Sequence, residues 1–428
     1  MQITIHRGIN QIGGCITEIA TDKTRILIDL GQNLPKGNVP SDDNMANKEN
    51  IEDLTKGVNA IFYTHYHGDH VELFKYVPEG IEQHIGEVAK QVMLCKYEAL
   101  IHIPEDAPVK VEDIQLLELF KTFREKQEIP IGNIKITPYF VSHSACDAYM
   151  FLIEAEGKRI LHTGDFRDHG YLGKGLMQVL EKIILHKGAI DVLITEGTML
   201  SRSTEKVLHE NDIKLNAIEL MRQHKYVFVL CSSTDIDRLA SFYQAAQETD
   251  RSFLYDNYQK NVLNIFTETK GAIYKLFRFD NGYYYKHGHK KQLDILKGKG
   301  FCMLVRPKHY DQIKELLTQL PEEQTLFIYS MWSGYLNEGE NQKKEYVKIE
   351  KLFKGRVKRL HTSGHATPEA LAKVCNLVNP TTAIIPIHSE ASSNYANLPI
   401  TEHLRQKIMT TSCSIDSVNI GINQNSTN

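Results

Sequence analysis

Residues 64–70 read Thr-His-Tyr-His-Gly-Asp-His, and this heptapeptide constrains the fold more than any other part of the chain. His65, His67, Asp69 and His70 put four metal-capable side chains within six residues. His65 and His67 can turn their rings to one side only in extended or turning backbone. Asp69 and His70 open the next helix and can face a second ion. The preceding run, Val58-Asn59-Ala60-Ile61-Phe62-Tyr63, predicts a short buried strand. The cluster therefore sits at a strand end, where a rigid sheet can present loop ligands. The bland alternative is a polar loop that happens to be rich in His, but four ligand types in this order seldom coincide by chance.

The same form recurs along the chain. Asp29 follows Ile26-Leu27-Ile28, His143 follows the strand predicted over 134–140, Asp165 follows that over 158–162, and His388 follows Ile384-Ile385-Pro386-Ile387. The set suffices for two divalent ions. His65, His67 and His143 would hold one, Asp69, His70 and His388 the other, and Asp165 would bridge them. Asp29 would orient a ligand His from outside. Nitrogen-rich ligation suits Zn2+, with Mn2+ or Fe2+ as alternatives. Water activated between two such ions would be the nucleophile. Taken singly these residues say little, since a lone His at a strand end is usually structural and Gly-Asp commonly marks a turn. Their joint order carries the signal. His162 reads as structural, and His287 and His289, in the Lys-rich stretch 286–291, as a solvated loop.

Composition bounds the class. The 428 residues allow two or three domains. With 42% hydrophobic and 24% charged residues the chain reads as an ordinary globular protein. No apolar run is long enough to cross a bilayer, and the N-terminus alternates like a strand rather than a signal peptide. The seven Cys are dispersed without a Cys-x-x-Cys pair, which points to free thiols in a reducing compartment and a cytoplasmic setting. Net charge is −3, yet residues 201–360 carry 27 Lys and Arg against 20 Asp and Glu. A basic middle inside an acidic frame suits a polyanionic partner, although an excess of this size also arises as surface noise.

Strands are predicted at 2–6, 15–20, 24–29, 58–63, 115–120, 134–140, 148–154, 158–162 and 190–195, with one helix at 84–101 and a long loop over 31–57. Beyond residue 200 the pattern becomes an alternation: helix 204–223, strand 226–231, helix 236–247, strand 252–255, helix 257–268, then strand 301–305, helix 309–319, strand 325–330 and helix 341–353. Such alternation implies a parallel sheet covered by helices. Strand 357–361, helix 368–377 and strand 382–387 follow, and the polar tail 423–428 reads as disordered.

The Thr64–His70 run, with His143, Asp165, His388 and Asp29, resembles the metallo-β-lactamase superfamily. Thr195-Glu196-Gly197-Thr198, Ser363-Gly364-His365-Ala366 and Pro386-Ile387-His388-Ser389-Glu390 resemble the added motifs of its β-CASP nucleases, those of the ribonuclease J type in particular. The resemblance implies an α/β fold: an αββα sandwich over 1–200 and 357–428, with an inserted Rossmann-like parallel sheet, the β-CASP domain, over 201–356. It implies an RNA phosphodiester hydrolase, exo- or endonucleolytic, that prefers single strands, has no membrane partner and can form a homo-oligomer. His365 would bind the scissile phosphate or protonate the departing oxygen, with Glu196 orienting it and Asp69 also counted in the catalytic group. Ser232, Ser233, Thr234, Arg238 and Ser363 would contact phosphate. Asp235 departs from the family pattern, since a carboxylate there would repel a phosphate. The stretch 329–334 departs too. Two other readings compete: a hydrolase of small phosphodiesters or esters on the same metals, and a metal-holding RNA-binding or regulatory protein with little turnover.

Overall fold

In the computed structural model, which describes residues 1–35, 46–102, 109–202, 204–415 and 418–422, the strands assemble into three sheets. The predicted tail 423–428 lies outside the described residues. The chain divides into one unit of Met1–Leu34, Ser41–Glu205 and Gly364–Asn428, and a second built on Lys206–Ser363.

The first unit stacks two sheets. One runs Cys413–Ile415, Val418–Ile422, Gln2–Arg7, Ile16–Ala20, Arg25–Ile28, Ala60–Phe62, Glu82–Gly86 and Lys121–Phe123. The other runs Ala383–Ile387, Val192–Glu196, Lys158–His162, Ala148–Ala155, Ile134–Val141 and Ile129–Ile131. Period-two alternation sorts their side chains. Ile3, Ile5, Ile26 and Phe62 of the first sheet meet Phe151, Ile160, Val192 and Ile385 of the second between the layers. Leu152, Leu161, Leu193 and Ile384 point the other way, onto the helix Pro368–Val378 and the turns of 176–184. Burial on both faces explains why these strands read as nearly continuous apolar runs. On the outer side of the first sheet, Glu87–Leu100 buries Val88, Ala89, Val92 and Met93. The result is an αββα sandwich.

Strand direction gathers the ligand-bearing ends. Arg25–Ile28 and Ala60–Phe62 are parallel. Lys158–His162, Val192–Glu196 and Ala383–Ile387 are parallel in the second sheet. Ile134–Val141 is antiparallel to Ala148–Ala155, itself antiparallel to Lys158–His162, so it ends at the same edge.

The second unit is a wholly parallel sheet, in the order Gly282–Tyr284, Ser252–Tyr255, Phe301–Leu304, Tyr226–Cys231, Thr325–Ser330 and Val357–Arg359. Phe228, Met303, Phe327, Ile313 and Phe353 are among its core residues.

Several elements differ from the sequence expectation. The strand predicted at 115–120 is the helix Val111–Leu119. Asp113 accepts from the Lys110 backbone N–H at 2.8 Å, which caps the first turn. The γ-branched Leu116 and Leu117 also suit a helix. The helix expected from 84 begins at Glu87, because 82–86 is a strand. The start of that helix is capped from a distance: Asp147 accepts from the backbone N–H of Val88 (2.9 Å) and of Ala89 (3.2 Å). The loop expected over 31–57 contains the helix Lys48–Thr55, capped by Asn47. Helix 204–223 starts only at Glu210. Gly282–Tyr284, Lys290–Lys299 and the antiparallel strands Cys413–Ile415 and Val418–Ile422 were not anticipated. Among the described residues no helix is long and apolar enough to cross a membrane.

Candidate metal centre

Three ring nitrogens converge at the sheet edge. His67 Nδ1 lies 3.1 Å from His65 Nε2 and 3.2 Å from His143 Nε2. Two nitrogens on a tetrahedral Zn2+ sit about 3.3 Å apart at normal bond lengths, so the three are spaced as ligands of one ion. Their outer nitrogens are already taken. His143 Nδ1–H donates to Gly364 O at 2.7 Å. His65 Nδ1 bonds Thr64 Oγ1 at 3.0 Å, and that hydroxyl donates to Asp29 Oδ2 at 2.9 Å. These bonds turn the Nε2 lone pairs of both rings toward the same point.

A second group adjoins it. His388 Nε2 is 3.1 Å from Asp69 Oδ2, and His70 Nε2 is 3.1 Å from Asp165 Oδ2. Asp165 Oδ2 is also 3.5 Å from His388 Nε2, 4.0 Å from His65 Nε2 and 3.9 Å from His143 Nε2. One carboxylate therefore stands between the two groups. Asp165 Oδ1 is buried without a hydrogen-bond partner. Such an orphaned atom costs roughly 1–3 kcal/mol, and a cation beside it would satisfy it. The donor set thus fits a pair of divalent ions.

The protonation preferences agree. Burial, and then the neighbouring histidines, push His65 and His143 well below the usual imidazole range. Burial brings His67 down to about 4. All three are held neutral, the form that ligates. His70 is raised instead: burial opposes its charge, but Asp165, Asp29 and Asp69 outweigh it.

Asp29 and His388 both adopt left-handed backbone, with φ of 61° and 50°. Such conformations in non-glycine residues persist where the surroundings enforce them. Asp29 accepts from Thr64 N at 2.7 Å and faces His70 Nδ1 at 2.7 Å, so it orients one ligand ring directly and a second through Thr64. Gly31 packs so closely on the Asp69 carbonyl that a Cβ there would overlap it. At Gly364 a Cβ would come within 2.8 Å of the Ser144 Cβ.

His365 lies beside the group, its ring 5.0 Å from that of His143 and stacked at 5.1 Å on that of His388. Its Nδ1 is 3.2 Å from Glu196 Oε2 and 3.6 Å from Asp165 Oδ2. Burial opposes its charge, yet Glu196 and then Asp165 raise its proton affinity. Glu196 is fully buried, not a strand-end surface carboxylate, and accepts from Phe166 N (3.0 Å) and Ala366 N (3.2 Å). It therefore fixes the residue after Asp165 and the residue after His365 together.

Three residues near these groups were not marked by the sequence. Thr198 Oγ1 is 2.7 Å from His388 Nδ1, 3.1 Å from His365 Nδ1 and 3.3 Å from His388 O. One hydroxyl can accept from both rings and donate to the carbonyl, which leaves the His388 Nε2 lone pair free to ligate, while His365, whose proton affinity is raised, can carry a second proton on Nε2. Arg7, 4% exposed, donates to Gly14 O at 2.9 Å and to Gly31 O, bracing the loops beside Asp69. Cys15, one of the seven dispersed cysteines, has its Sγ within 4.8 Å of ring nitrogens of His70 and His388. Only the tertiary partners single these three out. His162 is buried, and its Nδ1 accepts from Gly164 N at 3.2 Å.

The residues expected to contact phosphate lie in the second unit, and one is corrected. Arg238 is 1% exposed. Its guanidinium forks onto Glu210 at 2.9 and 3.2 Å and donates to Ser330 Oγ (2.7 Å) and Thr362 O (3.0 Å). Every donor is engaged, so Arg238 serves structure rather than phosphate. Asp235 caps the helix Ile236–Glu248 by accepting from Arg238 N at 3.3 Å, so its charge is directed into the helix start. Ser232, Ser233 and Thr234 are partly exposed in the preceding turn, where Ser232 Oγ is 3.4 Å from Thr234 Oγ1. Ser363 is partly exposed just before Gly364.

Residues 24–229 match the beta-lactamase superfamily domain, and residues 353–404 match the Zn-dependent metallo-hydrolase RNA specificity domain. Every expected ligand from Asp29 to His388 falls within these two segments. The chain belongs to the metallo-β-lactamase superfamily. Within the superfamily it is a ribonuclease J-like member of the β-CASP type. An RNase J-like protein of Methanocaldococcus jannaschii is 28% identical over 203 residues, which cover 46% of this chain and 42% of that protein. Ribonuclease J of Mycoplasma genitalium is 23% identical over 431 residues, or 90% of this chain and 67% of that one. The chain thus spans less than half of the first relative and about two thirds of the second. A crystal structure of a protein of unknown function from Enterococcus faecalis V583 shares the fold, with a TM-score of 0.67 at 20% identity over 91% of this chain and 94% of that one. The expected ligands lie where strands of both sheets end, as the strand directions require.

Proposed function

We propose that this chain is a metal-dependent ribonuclease that hydrolyses phosphodiester bonds of single-stranded RNA with two divalent ions, Zn2+ foremost. The observation that carries this reading is the convergence of His65, His67, His143, Asp69, His70, His388 and Asp165, with His365 at their side. The RNA preference is supported by the relatives named Ribonuclease J and by the matched RNA specificity domain, which contains His365 and His388.

Bound in this cluster, the ions would supply an activated water and neutralise charge growing on the phosphate oxygens. The chain's own groups do the rest. The Nδ1 partners of His65, His70, His143 and His388 hold those rings in the ligating orientation. His365, with a side chain one-fifth exposed, is more open than Asp165 at 2%. Its Nδ1 is occupied by Glu196 and Thr198. Its Nε2 is therefore the atom that binds the scissile phosphate or hands a proton to the departing oxygen. Glu196 positions His365 and does not touch substrate. A cytoplasmic setting is supported by seven cysteines, none of them in a disulfide.

The test is incubation of metal-analysed protein with 5′-labelled and internally labelled single-stranded RNA. Release of mononucleotide from the 5′ end identifies exonucleolytic action, and fragments of intermediate length identify endonucleolytic action. Intact RNA in the presence of a full metal complement would refute the reading.

A further inference from the structure

The basic character of the second unit is concentrated in one segment. Residues 270–308 contain ten Lys and Arg against two Asp and Glu. The rest of 201–360 holds seventeen against eighteen. The whole positive excess therefore sits in 39 residues. The exposed aromatics sit there as well. Tyr274, Tyr283 and Tyr284 are 43%, 52% and 48% exposed, and they are the exposed tyrosines among the described residues. A charge run alone is usually a solvated face, but one interleaved with bare aromatic rings has the make-up of a single-stranded nucleic-acid platform.

The segment is held firmly. Phe277 and Phe279 are buried while Arg278 and Asp280 face out. Tyr243 packs on Phe279 at 5.2 Å and its hydroxyl accepts from Asn281 N at 3.0 Å. Gly282–Tyr284 is the edge strand, parallel to Ser252–Tyr255. The Gln292 side chain accepts from Lys286 N at 3.1 Å and donates to Tyr284 O at 2.8 Å, tying the strand exit to the helix Lys290–Lys299. Acidic neighbours take up part of the charge. Asp256 pairs with Lys308 (2.8 Å) and Arg306, Asp250 with Lys299 (3.1 Å), and Glu315 faces His287 (3.0 Å). Lys286, Lys290 and Lys291 are exposed and have no acidic partner within 4 Å among the described residues.

We propose that the edge strand Gly282–Tyr284 and the adjoining Lys286, Lys290 and Lys291 form an RNA-binding surface on the second unit, which holds single-stranded RNA by its phosphates and by base stacking. This rests on the ribonuclease reading for the identity of the polyanion. The three lysines supply the phosphate contacts. Tyr283 and Tyr284 are consecutive in a strand and project to opposite sides. A flexible single strand can stack bases on both rings, whereas a rigid duplex cannot.

The experiment uses the full chain stripped of metal, so that binding is read without cleavage. Fluorescence anisotropy with a 5′-labelled oligoadenylate RNA is measured across a salt series for the wild type, for Lys286→Ala/Lys290→Ala/Lys291→Ala and for Tyr283→Ala/Tyr284→Ala. Loss of three phosphate contacts is expected to lower the slope of log affinity against log salt by about 2. Loss of the two rings is expected to weaken binding about tenfold or more with the slope unchanged. Turnover of a dinucleotide by the metal-loaded variants should equal that of the wild type, since neither alters the unit that carries the metal ligands. Melting curves matching the wild type show that the variants are folded. Wild-type affinity and salt slope in both variants would overturn the surface while leaving the ribonuclease reading intact. Intact RNA with fully metal-loaded wild type would instead overturn that reading. Self-association in sedimentation that the Tyr variant abolishes, with RNA affinity unchanged, would assign the surface to a second copy of this chain and overturn the proposal.

Discussion

Single residues at the metal centre divide by what their loss should change. The partners of His365 include Glu196, Thr198 and Asp165, and its ring lies to the side of the expected ligands. His365→Ala is therefore expected to keep its metal, measured by elemental analysis, and to lose on the order of 100-fold in turnover on labelled RNA, the size of a lost general acid. Thr198 acts through its neighbours. Its hydroxyl is the Nδ1 partner of His388 at 2.7 Å, and loss of such an outer partner typically costs about 10–100-fold in metal affinity. Thr198→Val should show that loss in competition with a chelator, and Thr198→Ser should restore the wild-type value. Equal affinities for the Val and Ser variants would deny Thr198 a positioning role. The proposed ligands stood out in the sequence because each follows an apolar strand in a short window. Thr198 was not, since its partners lie 167 and 190 residues away.

Elements are joined by a few charged contacts whose burial sets their weight. In the second unit Arg238, on the helix Ile236–Glu248, is bonded to Glu210 at the start of another helix and to the strand end at Ser330. Removing one partner of a buried pair leaves the other charge uncompensated, at about 3–5 kcal/mol. Arg238→Ala should therefore lower the denaturation midpoint sharply, and Arg238→Met/Glu210→Leu should recover most of the loss. In the first unit Glu18 joins three strands by bonding His6 at 3.0 Å and Arg25 at 2.8 Å. Burial alone would raise its carboxyl, but the bonds from His6 and Arg25 hold it at about 2, below its ordinary 4.5. A depressed folded value means that the ionised group stabilises the fold above the ordinary value, and that this contribution fades as pH falls toward 2. Thermal melts of the wild type and Glu18→Gln should thus differ most at neutral pH and converge in acid. A gap that widens in acid would contradict the assignment. At this scale the alternation of 226–330 was readable as a parallel sheet, whereas 115–120 misled. Its leucines fit either period, and the choice fell to the cap at Asp113 and Lys110.

The whole molecule combines a sandwich that carries the proposed metal ligands with a parallel-sheet unit that carries the excess of basic residues. Ions that bind the folded sandwich and not its unfolded chain stabilise it in proportion to the logarithm of their concentration over Kd. Chelation should therefore lower the thermal transition of the unit that contains the ligands, followed by calorimetry, and adding Zn2+ back should restore it. A melt insensitive to chelator would mean that these groups hold no ion. The insertion itself was visible as a change from strand-rich sequence to strand–helix alternation near residue 200. The point of return was not: the second unit extends to Ser363, because 357–359 adds a last parallel strand to its sheet. By itself the sequence offered the list of candidate ligands, the sandwich-plus-insertion plan and His365 as a candidate, since apolar runs, turn residues and ligand types are written locally. Only the tertiary structure decided which hydroxyl, carboxylate or carbonyl holds each ring, and that Arg238 answers Glu210 rather than a phosphate. Those outcomes depend on burial and on partners far apart in the chain, and a charge withdrawn from water is governed by the nearest group that can neutralise it.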